Sequence, residues 1–238
     1  MSAKTVYMVW GGPTGPEWVE EIDRWYAPHL IEMCTLPGLI SAQLYKPSSV
    51  QVPGQAEDPP GTMALYEFLT DDLAGAFKTL WASSVSRRIM PPNMEAFALH
   101  QRFESAVYDL VDERPEGPPH EYDDDGLPPR PPVREQIVMT FGASAEDDAG
   151  WRPPLTGISS SAGVTAARVY RPSAVQLPRL TVELPPTMAL FELASDDLAR
   201  DVDALWNGQL KDSGLVPDAV YETVVYELDS QWPPPAGA

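Results

Sequence analysis

His29 is the residue whose type and position best suit acid–base chemistry. It follows Trp18, Ile22 and Trp25 and precedes Met33 at steps of three and four residues, a spacing that places all five side chains on one face of a helix. A neutral imidazole in an apolar cleft can take up or return a proton near neutral pH. The pattern therefore predicts a general base turned toward the protein interior. A core histidine bonded to a backbone carbonyl is the alternative.

Two further residues are candidates to assist His29 as an acid or a hydrogen-bond donor. Tyr26 is close to His29 in sequence and could orient it or donate a proton, although its place beside the apolar stripe also fits exposure to solvent. His100 comes just before a predicted strand whose end borders the same helix–sheet cleft. We therefore assign His29, Tyr26 and His100 as the candidate catalytic set. An exposed loop histidine is the alternative for His100.

Large aromatic side chains supply candidate walls for a binding cleft. Their helix and strand spacing predicts core positions first and pocket positions second. A cleft lined by several of them favours a flat, apolar or aromatic ligand over a sugar or a nucleotide. The candidate substrate-binding residues are Trp25, Tyr66, Phe68, Trp81 and Phe97.

Several common chemistries lack their residues in this sequence. The three histidines lie far apart and form no His-x-His or His-Glu-x-x-His pattern, so no metal centre is predicted. No Gly-x-Gly-x-x-Gly follows a predicted strand and no Walker loop is present, which leaves nucleotide cofactors unsupported. Cys34 is the only cysteine, which excludes intrachain disulfides, and it has no evident thiolate-stabilising neighbour. We therefore expect no cofactor.

The charge balance restricts the classes of partner. The 238 residues carry 35 acidic and 16 basic side chains, and the resulting formal charge of −19 repels nucleic acid and anionic lipid. No apolar run approaches the roughly 20 residues of a membrane span, and Met1–Gly12 lacks the pattern of a signal peptide. We expect a cytoplasmic protein that binds a small hydrophobic or aromatic molecule. The sequence leaves open whether two chains pair through exposed sheet edges.

A tandem repeat organises the chain. Residues 38–81 align without a gap with residues 163–206 at a constant offset of 125, and 20 of these 44 positions are identical. We therefore predict a first repeat at 1–111, a Pro-rich acidic linker at 112–134, a second repeat at 135–230 and a tail at 231–238. At the same offset His29 becomes Pro154, which makes the first repeat the candidate active half and the second a scaffold.

Each repeat has the order strand, helix, strand, strand, helix, strand. This βαββαβ pattern is typical of a ferredoxin-like α+β unit, an antiparallel four-stranded sheet with two helices on one face. The bare face of such a sheet must be covered, and a second copy can cover it. We therefore expect two repeats packed sheet to sheet. Glu67 and Glu192 recur inside predicted strands, and the pattern leaves open whether they bind across the pseudo-twofold axis or lie at an edge.

The doubled unit resembles a fused dimer of the dimeric α/β-barrel superfamily. An aromatic pair, a histidine and then Pro-Gly, here Trp25-Tyr26, His29 and Pro37-Gly38, is similar to its EthD-like members. The resemblance implies a small-molecule pocket between the helices and the sheet of one unit. The superfamily includes cofactor-free monooxygenases, polyketide cyclases, dehydratases, isomerases and haem enzymes, so the resemblance alone does not choose a reaction.

We expect a cofactor-independent enzyme that performs general acid–base chemistry on a small hydrophobic, aromatic or polyketide-like substrate. Its reaction would be that of a lyase, dehydratase, cyclase or isomerase, with His29 as the base. Two alternatives remain: a cofactor-free monooxygenase that uses the same base, and a non-catalytic small-molecule binding protein.

Overall fold

The apolar runs of the sequence form nine strands and three helices in the part of the chain that a computed structural model describes. The described residues are 3–53, 61–82, 97–99, 105–115, 134–142, 163–177, 184–210 and 223–233. The N-terminal half contains β1 (Ala3–Pro13), α1 (Val19–Met33), β2 (Leu39–Pro47), β3 (Met63–Thr70), α2 (Leu73–Ala82), β4 (Phe97–Leu99) and β5 (Ser105–Arg114). The C-terminal half contains β6 (Gln136–Gly142), β7 (Val164–Pro172), β8 (Thr187–Leu193), α3 (Leu198–Leu205) and β9 (Thr223–Trp232).

Eight of these strands close into an antiparallel barrel. The order around the ring is β1-β3-β2-β9-β6-β8-β7-β5, and β5 pairs with β1 to complete it. The strand order within the N-terminal half is therefore β2-β3-β1-β5, and the C-terminal half has the corresponding order β7-β8-β6-β9. The halves meet edge to edge at β2–β9 and at β5–β7. The short β4 pairs with the end of β1 outside the ring.

Strand alternation separates the barrel interior from the layers under the helices. One set of side chains packs inside the barrel, with Met8, Trp10, Tyr108, Met139 and Tyr226 among its most buried members. The opposite set faces outward and is covered by α1 and α2 in the N-terminal half and by α3 in the C-terminal half. The N-terminal outer layer is rich in aromatic rings, whereas the C-terminal one is mostly aliphatic.

Helix α1 buries a face that only partly matches the one the sequence spacing predicts. Ile22, His29 and Met33 are buried as predicted, together with Tyr26 and Leu30, whereas Trp18 and Trp25 are only partly buried because the inner face is rotated toward Tyr26. A 3-10 turn at Pro16–Trp18 precedes the helix, and no side chain caps it at Gly15. After the helix, Gly38 adopts φ +78°, and a Cβ built there would lie 2.6 Å from Cβ of Thr70, so the entry to β2 requires glycine.

The predicted linker and tail begin too early. β5 continues to Arg114, and Arg134, at the far end of the predicted linker, is buried among carboxylates. β9 likewise runs to Trp232, whose ring packs against the N-terminal outer layer. Acidic and Pro-rich composition suggested solvated chain in both places, but ion pairs and ring packing allow these residues to be buried. None of the described helices is long and apolar enough to span a bilayer.

Candidate functional site

His29 lies at the centre of an aromatic cluster between α1 and the sheet. The ring is only 5% exposed, and its Nε2 atom is 2.7 Å from Oη of Tyr66 on β3. Trp25 stacks on the imidazole at a ring distance of 4.3 Å and an angle of 20°. Tyr26 meets it edge-on at 5.9 Å. One turn of α1 thus supplies three of the four rings in contact, and β3 supplies the fourth.

Further rings extend the cluster along the sheet. Tyr7 on β1 stacks on Tyr66 at 5.4 Å. Phe77 on α2 packs edge-on against Tyr7 at 5.5 Å and against Phe68 at 5.6 Å. We call this set the aromatic layer; its members are Tyr7, Trp25, Tyr26, Tyr66, Phe68 and Phe77. Flat apolar surfaces therefore surround the one imidazole at its centre.

The Nδ1 atom of His29 is buried and has no hydrogen-bond partner among the described residues. Either tautomer leaves a polar group unsatisfied, because Nε2 is already engaged by Tyr66. Such a group costs about 1–3 kcal/mol when it is left unpaired in the protein interior. A polar atom of a bound ligand would remove this cost, so Nδ1 marks a point at which the layer can bind one.

Burial keeps the whole layer uncharged. It lowers the pKa of His29 from 6.5 to about 3, so the imidazole is neutral at physiological pH. It also raises the pKa values of Tyr7, Tyr26 and Tyr66 above their usual range and that of the Cys34 thiol to about 12. Nδ1 of His29 is therefore the basic atom of the layer that could accept a proton from a bound ligand.

Five of the eight predicted site residues come together in this layer: His29, Tyr26, Trp25, Tyr66 and Phe68. Tyr26 is 2% exposed and so does not face solvent. Trp81 lies in α2 and Phe97 in β4, but their side chains fall outside the described part of the structure. His100 also falls outside it. The roles of these three residues remain predictions.

Tyr7 and Phe77 are the two members of the layer that sequence reasoning did not assign to the site. Tyr7 stands between Val6 and Met8, which both face the barrel interior, so strand alternation alone would have placed it on the helix-covered face. Its ring contact with Tyr66 joins two strands that are adjacent only in the folded sheet. The sequence shows the alternation of side chains along β1, but it does not show that β1 pairs with β3.

The described residues offer little to a metal or a haem. They contain no group of three or more His, Cys, Asp or Glu side chains that could hold a metal ion. The histidine that ligates a haem iron commonly uses Nε2, which in His29 is bonded to Tyr66, and one face of the ring is covered by Trp25. The arrangement around His29 therefore does not fit haem ligation.

Replacing Tyr66 by phenylalanine should preserve the fold and lower the free energy of unfolding by about 1–3 kcal/mol, because Nε2 of His29 would lose its partner. Phe191 stands at the equivalent position of the C-terminal half, so the barrel already accommodates this ring there. Urea unfolding of Y66F, H29A and the double variant would measure the effect. A coupling energy near zero between the two sites would contradict the hydrogen bond.

A second cluster, of charged side chains, lies inside the barrel. The Arg134 guanidinium contacts Glu67 at 2.8 Å and also contacts Glu192. The two recurring glutamates, one from each half, therefore bind one cation between the halves and do not lie at a sheet edge. Arg168 joins Glu192 to Glu113, and Lys4 contacts Glu113 at 2.8 Å. Burial alone would raise the pKa of Glu67, but the adjacent arginines outweigh it and lower the value to about 2. We call this set the charged cluster: Lys4, Glu67, Glu113, Arg134, Arg168 and Glu192.

Comparisons with solved structures agree with this architecture. No protein-family model and no curated protein sequence matches the chain. An anthrone oxidase-like protein superposes with a TM-score of 0.60 at 12% identity, covering 97% of this chain and 93% of that one. A proposed monooxygenase from Fusobacterium nucleatum subsp. nucleatum gives 0.54 at 11% identity, with 97% and 95% covered. A proposed chlorite dismutase gives 0.53 at 11% identity, with 96% of each chain covered.

These similarities establish the fold. The chain is an eight-stranded antiparallel barrel with helices on its outside, a fold that it shares with these proteins. At identities of 11–12% they carry no activity from one protein to another. They also do not single out the EthD-like members that the aromatic–His–Pro-Gly pattern resembles.

Proposed function

We propose that the protein is a cofactor-independent monooxygenase that oxidises a flat phenolic or anthrone-like molecule in the aromatic layer. The observation that carries the proposal is His29, a buried neutral imidazole whose Nδ1 has no partner among the described residues. The rings around it suit a planar aromatic substrate. The shared fold of an anthrone oxidase-like protein and of proposed monooxygenases raises this chemistry above its alternatives.

The first step is removal of a proton from an activated C–H bond of the substrate. Nδ1 of His29 accepts the proton while Nε2–H donates to Oη of Tyr66, which fixes the ring and its tautomer. The electron pair of the broken C–H bond delocalises into the aromatic substrate as an enolate. Because the layer holds no other charge, the imidazolium and the enolate attract each other strongly, which offsets the low pKa of the free histidine.

Dioxygen is the oxidant in the second step. The enolate carbon gives up its electron pair to dioxygen, a C–O bond forms, and the resulting peroxide takes the proton back from His29. Loss of water across the remaining C–H and O–O bonds leaves a carbonyl group. The balance is R₂CH₂ + O₂ → R₂C=O + H₂O, so no external reductant is required. His29 ends the cycle neutral, as it began.

The proposal also treats the chain as two fused ferredoxin-like repeats of which only one is active. The equal strand order of the halves and their joining at β2–β9 and β5–β7 support this arrangement. In the C-terminal half, Val138 and Phe191 stand where the N-terminal half has Tyr7 and Tyr66, so the described part of its outer layer lacks those hydroxyl groups. We therefore propose one site per chain.

Oxidation of dithranol, 1,8-dihydroxyanthrone, tests the function directly. Purified protein should convert it to 1,8-dihydroxyanthraquinone faster than the protein-free solution does, and only in the presence of oxygen. With ¹⁸O₂, one labelled atom should appear in the new carbonyl. Mass spectrometry follows both compounds.

The same experiment separates the alternatives. Conversion of enone or polyketide-like compounds without oxygen would overturn the monooxygenase in favour of a lyase, dehydratase, cyclase or isomerase that uses the same base. Tight binding of the anthraquinone with no change in the mass of any compound would overturn both, and would indicate a binding protein.

A further inference from the structure

A repeated segment, Pro-Ser-x-Val-Gln, follows the second strand of each half. It occupies residues 47–51, starting at the last residue of β2, and residues 172–176, starting at the last residue of β7. Neither copy belongs to the site, yet this stretch is among the best preserved parts of the internal repeat. We call the two copies the first clasp and the second clasp, because each crosses to the opposite half of the chain.

The second clasp is bound to β5 of the N-terminal half through a side-chain amide. Gln176 Nε2–H donates to the carbonyl of Val107 at 2.7 Å, and its Oε1 accepts from the Val107 N–H at 3.1 Å. The Ser173 N–H donates to the same carbonyl at 2.9 Å. The amide of Gln176 thus occupies the place of the next residue in a strand and extends the sheet beyond the end of β7.

The first clasp makes the matching contacts in the opposite direction. Gln51 donates to the carbonyl of Val225 at 2.9 Å and accepts from its N–H at 3.0 Å. The Ser48 N–H donates to that carbonyl at 2.9 Å. Each glutamine also donates to the carbonyl of the serine in its own clasp. The two glutamines therefore form equivalent bonds in equivalent surroundings.

Only the second clasp leads to His29. Val107 pairs with Tyr7 across β5 and β1, and the Tyr7 ring stacks on Tyr66. Tyr66 in turn holds Nε2 of His29 at 2.7 Å. From the first clasp the corresponding path runs from Val225 to its partner Val138 on β6 and then to Phe191 on β8, which has no hydroxyl group.

The C-terminal half also contributes apolar surface to the aromatic layer. Leu177, directly after the second clasp, is buried in the same cluster as Tyr26 and Tyr66, and Val175 and Trp232 pack against it. Cys34, at the end of α1, is 3.7 Å from the carbonyl of Trp232. Residues of the scaffold half therefore border the layer beside β5 and beside β2.

We infer that the second clasp and Leu177, the residue directly after it, complete the site. Gln176 is a positioning residue that holds the Val107–Tyr7–Tyr66 path on which the orientation of His29 depends, and Leu177 is an apolar wall that selects the ligand. The inference rests on the proposed function of the aromatic layer and assigns part of that site to the opposite half of the chain. Gln51, in the first clasp, and Val52, directly after it, stand at the equivalent positions and serve as internal controls.

The test compares Q176A with Q51A in the full-length protein. Both variants lose the same set of hydrogen bonds, so we expect equal falls in Tm. In Q176A alone, the His29 side-chain NMR signals should shift and kcat for dithranol should fall about tenfold or more, with a smaller change in KM. The chain has three histidines, so loss of a signal in H29A assigns it.

Equal effects of the two variants on the His29 signals, or no effect of Q176A on them, would overturn the inference. If Q176A does not fold, L177A against V52A decides the matter: L177A alone should weaken binding of 1,8-dihydroxyanthraquinone, and equal binding by the two would overturn it. If the wild-type protein neither oxidises dithranol nor binds the quinone, the proposed function fails. The NMR signals of His29 then still test whether the second clasp positions the histidine. They should shift in Q176A, or in L177A if Q176A does not fold, and stay unchanged in the matching variant of the first half.

Discussion

Replacing His29 by alanine should slow dithranol oxidation by about 10²–10⁴-fold, the usual contribution of a positioned acid–base group. The neutral imidazole is the group of the aromatic layer with a basic lone pair, because burial raises the pKa values of the neighbouring tyrosines and of Cys34 and keeps them protonated. The rate should be measured in air with the protein-free rate subtracted. Binding of 1,8-dihydroxyanthraquinone by the variant should be measured alongside it.

Two controls separate loss of the base from loss of the fold. Added imidazole should restore part of the rate of H29A, since it can enter the space that the ring leaves, whereas H29Q should bind the quinone without oxidising dithranol. A loss smaller than tenfold in H29A would show that His29 is not the base. If the wild type does not oxidise dithranol, and H29A binds 1,8-dihydroxyanthraquinone as tightly as the wild type does, the result would indicate a binding protein.

The pH dependence of stability offers a readout of His29 that needs no substrate. The pKa of His29 lies at about 3 in the folded protein and near 6.5 in the unfolded chain, so the unfolded state binds the proton first. The stability that the folded protein gains from keeping His29 neutral is therefore complete above pH 6.5. It is lost as the pH falls toward 3, by up to about 1.4 kcal/mol per pH unit. Between pH 6.5 and 4.5, the stability of H29A should therefore fall less than that of the wild type.

Replacing Arg134 by methionine should lower the free energy of unfolding by about 3–5 kcal/mol at pH 7, because it leaves Glu67 and Glu192 buried without their shared cation. The guanidinium is buried and bridges β3 and β8, so its loss leaves Glu67 with its hydrogen bond from Ser41, whereas Glu192 keeps Arg168. Urea unfolding of R134M measures the loss. A change below about 1 kcal/mol would show that water already solvates these carboxylates.

An exposed ion pair provides the matched control for R134M. Lys46 contacts Asp229 at 2.7 Å, but its side chain is 44% exposed, so K46M should cost less than about 1 kcal/mol. The wild type should lose stability as the pH falls below 4.5, because the folded-state pKa of Glu67 is about 2. In R134M the unpaired Glu67 takes up a proton more readily. The difference in the free energy of unfolding between the wild type and R134M should therefore become smaller below pH 4.5.

The sequence was most informative where one element or one repeat decides the structure. The steps of three and four residues in α1 predicted its buried face in part. Ile22, His29 and Met33 are buried as predicted, but Tyr26 and Leu30 are buried where Trp18 and Trp25 were expected, and those two rings are only partly buried. The internal repeat predicted the equal strand order of the halves, which the barrel contains. Both patterns are local or repeated along the chain, so they can be read without knowing which strands pair.

Contacts between distant residues were out of reach of the sequence. Arg134 stood at the end of an acidic, Pro-rich stretch and was interpreted as linker, because only the folded barrel brings Glu67 and Glu192 to either side of it. Tyr7 was overlooked for the same reason. In the sequence, Gln176 was evident only as a residue that both repeats share. Its role could not be predicted, since its hydrogen-bond partner Val107 lies 69 residues away.

By itself, the sequence determined most of the described strands and helices, their order and the inward-facing position of His29, because helical and strand periods are set by the backbone geometry of each segment. The tertiary structure decided what that histidine is. Closure of the barrel sets Tyr66 against Nε2, and burial removes the water that would otherwise keep the imidazole partly charged. Burial also leaves Nδ1 without a partner among the described residues. The sequence does not reveal this, because the contact that buries the ring joins His29 to Tyr66, 37 residues further along the chain.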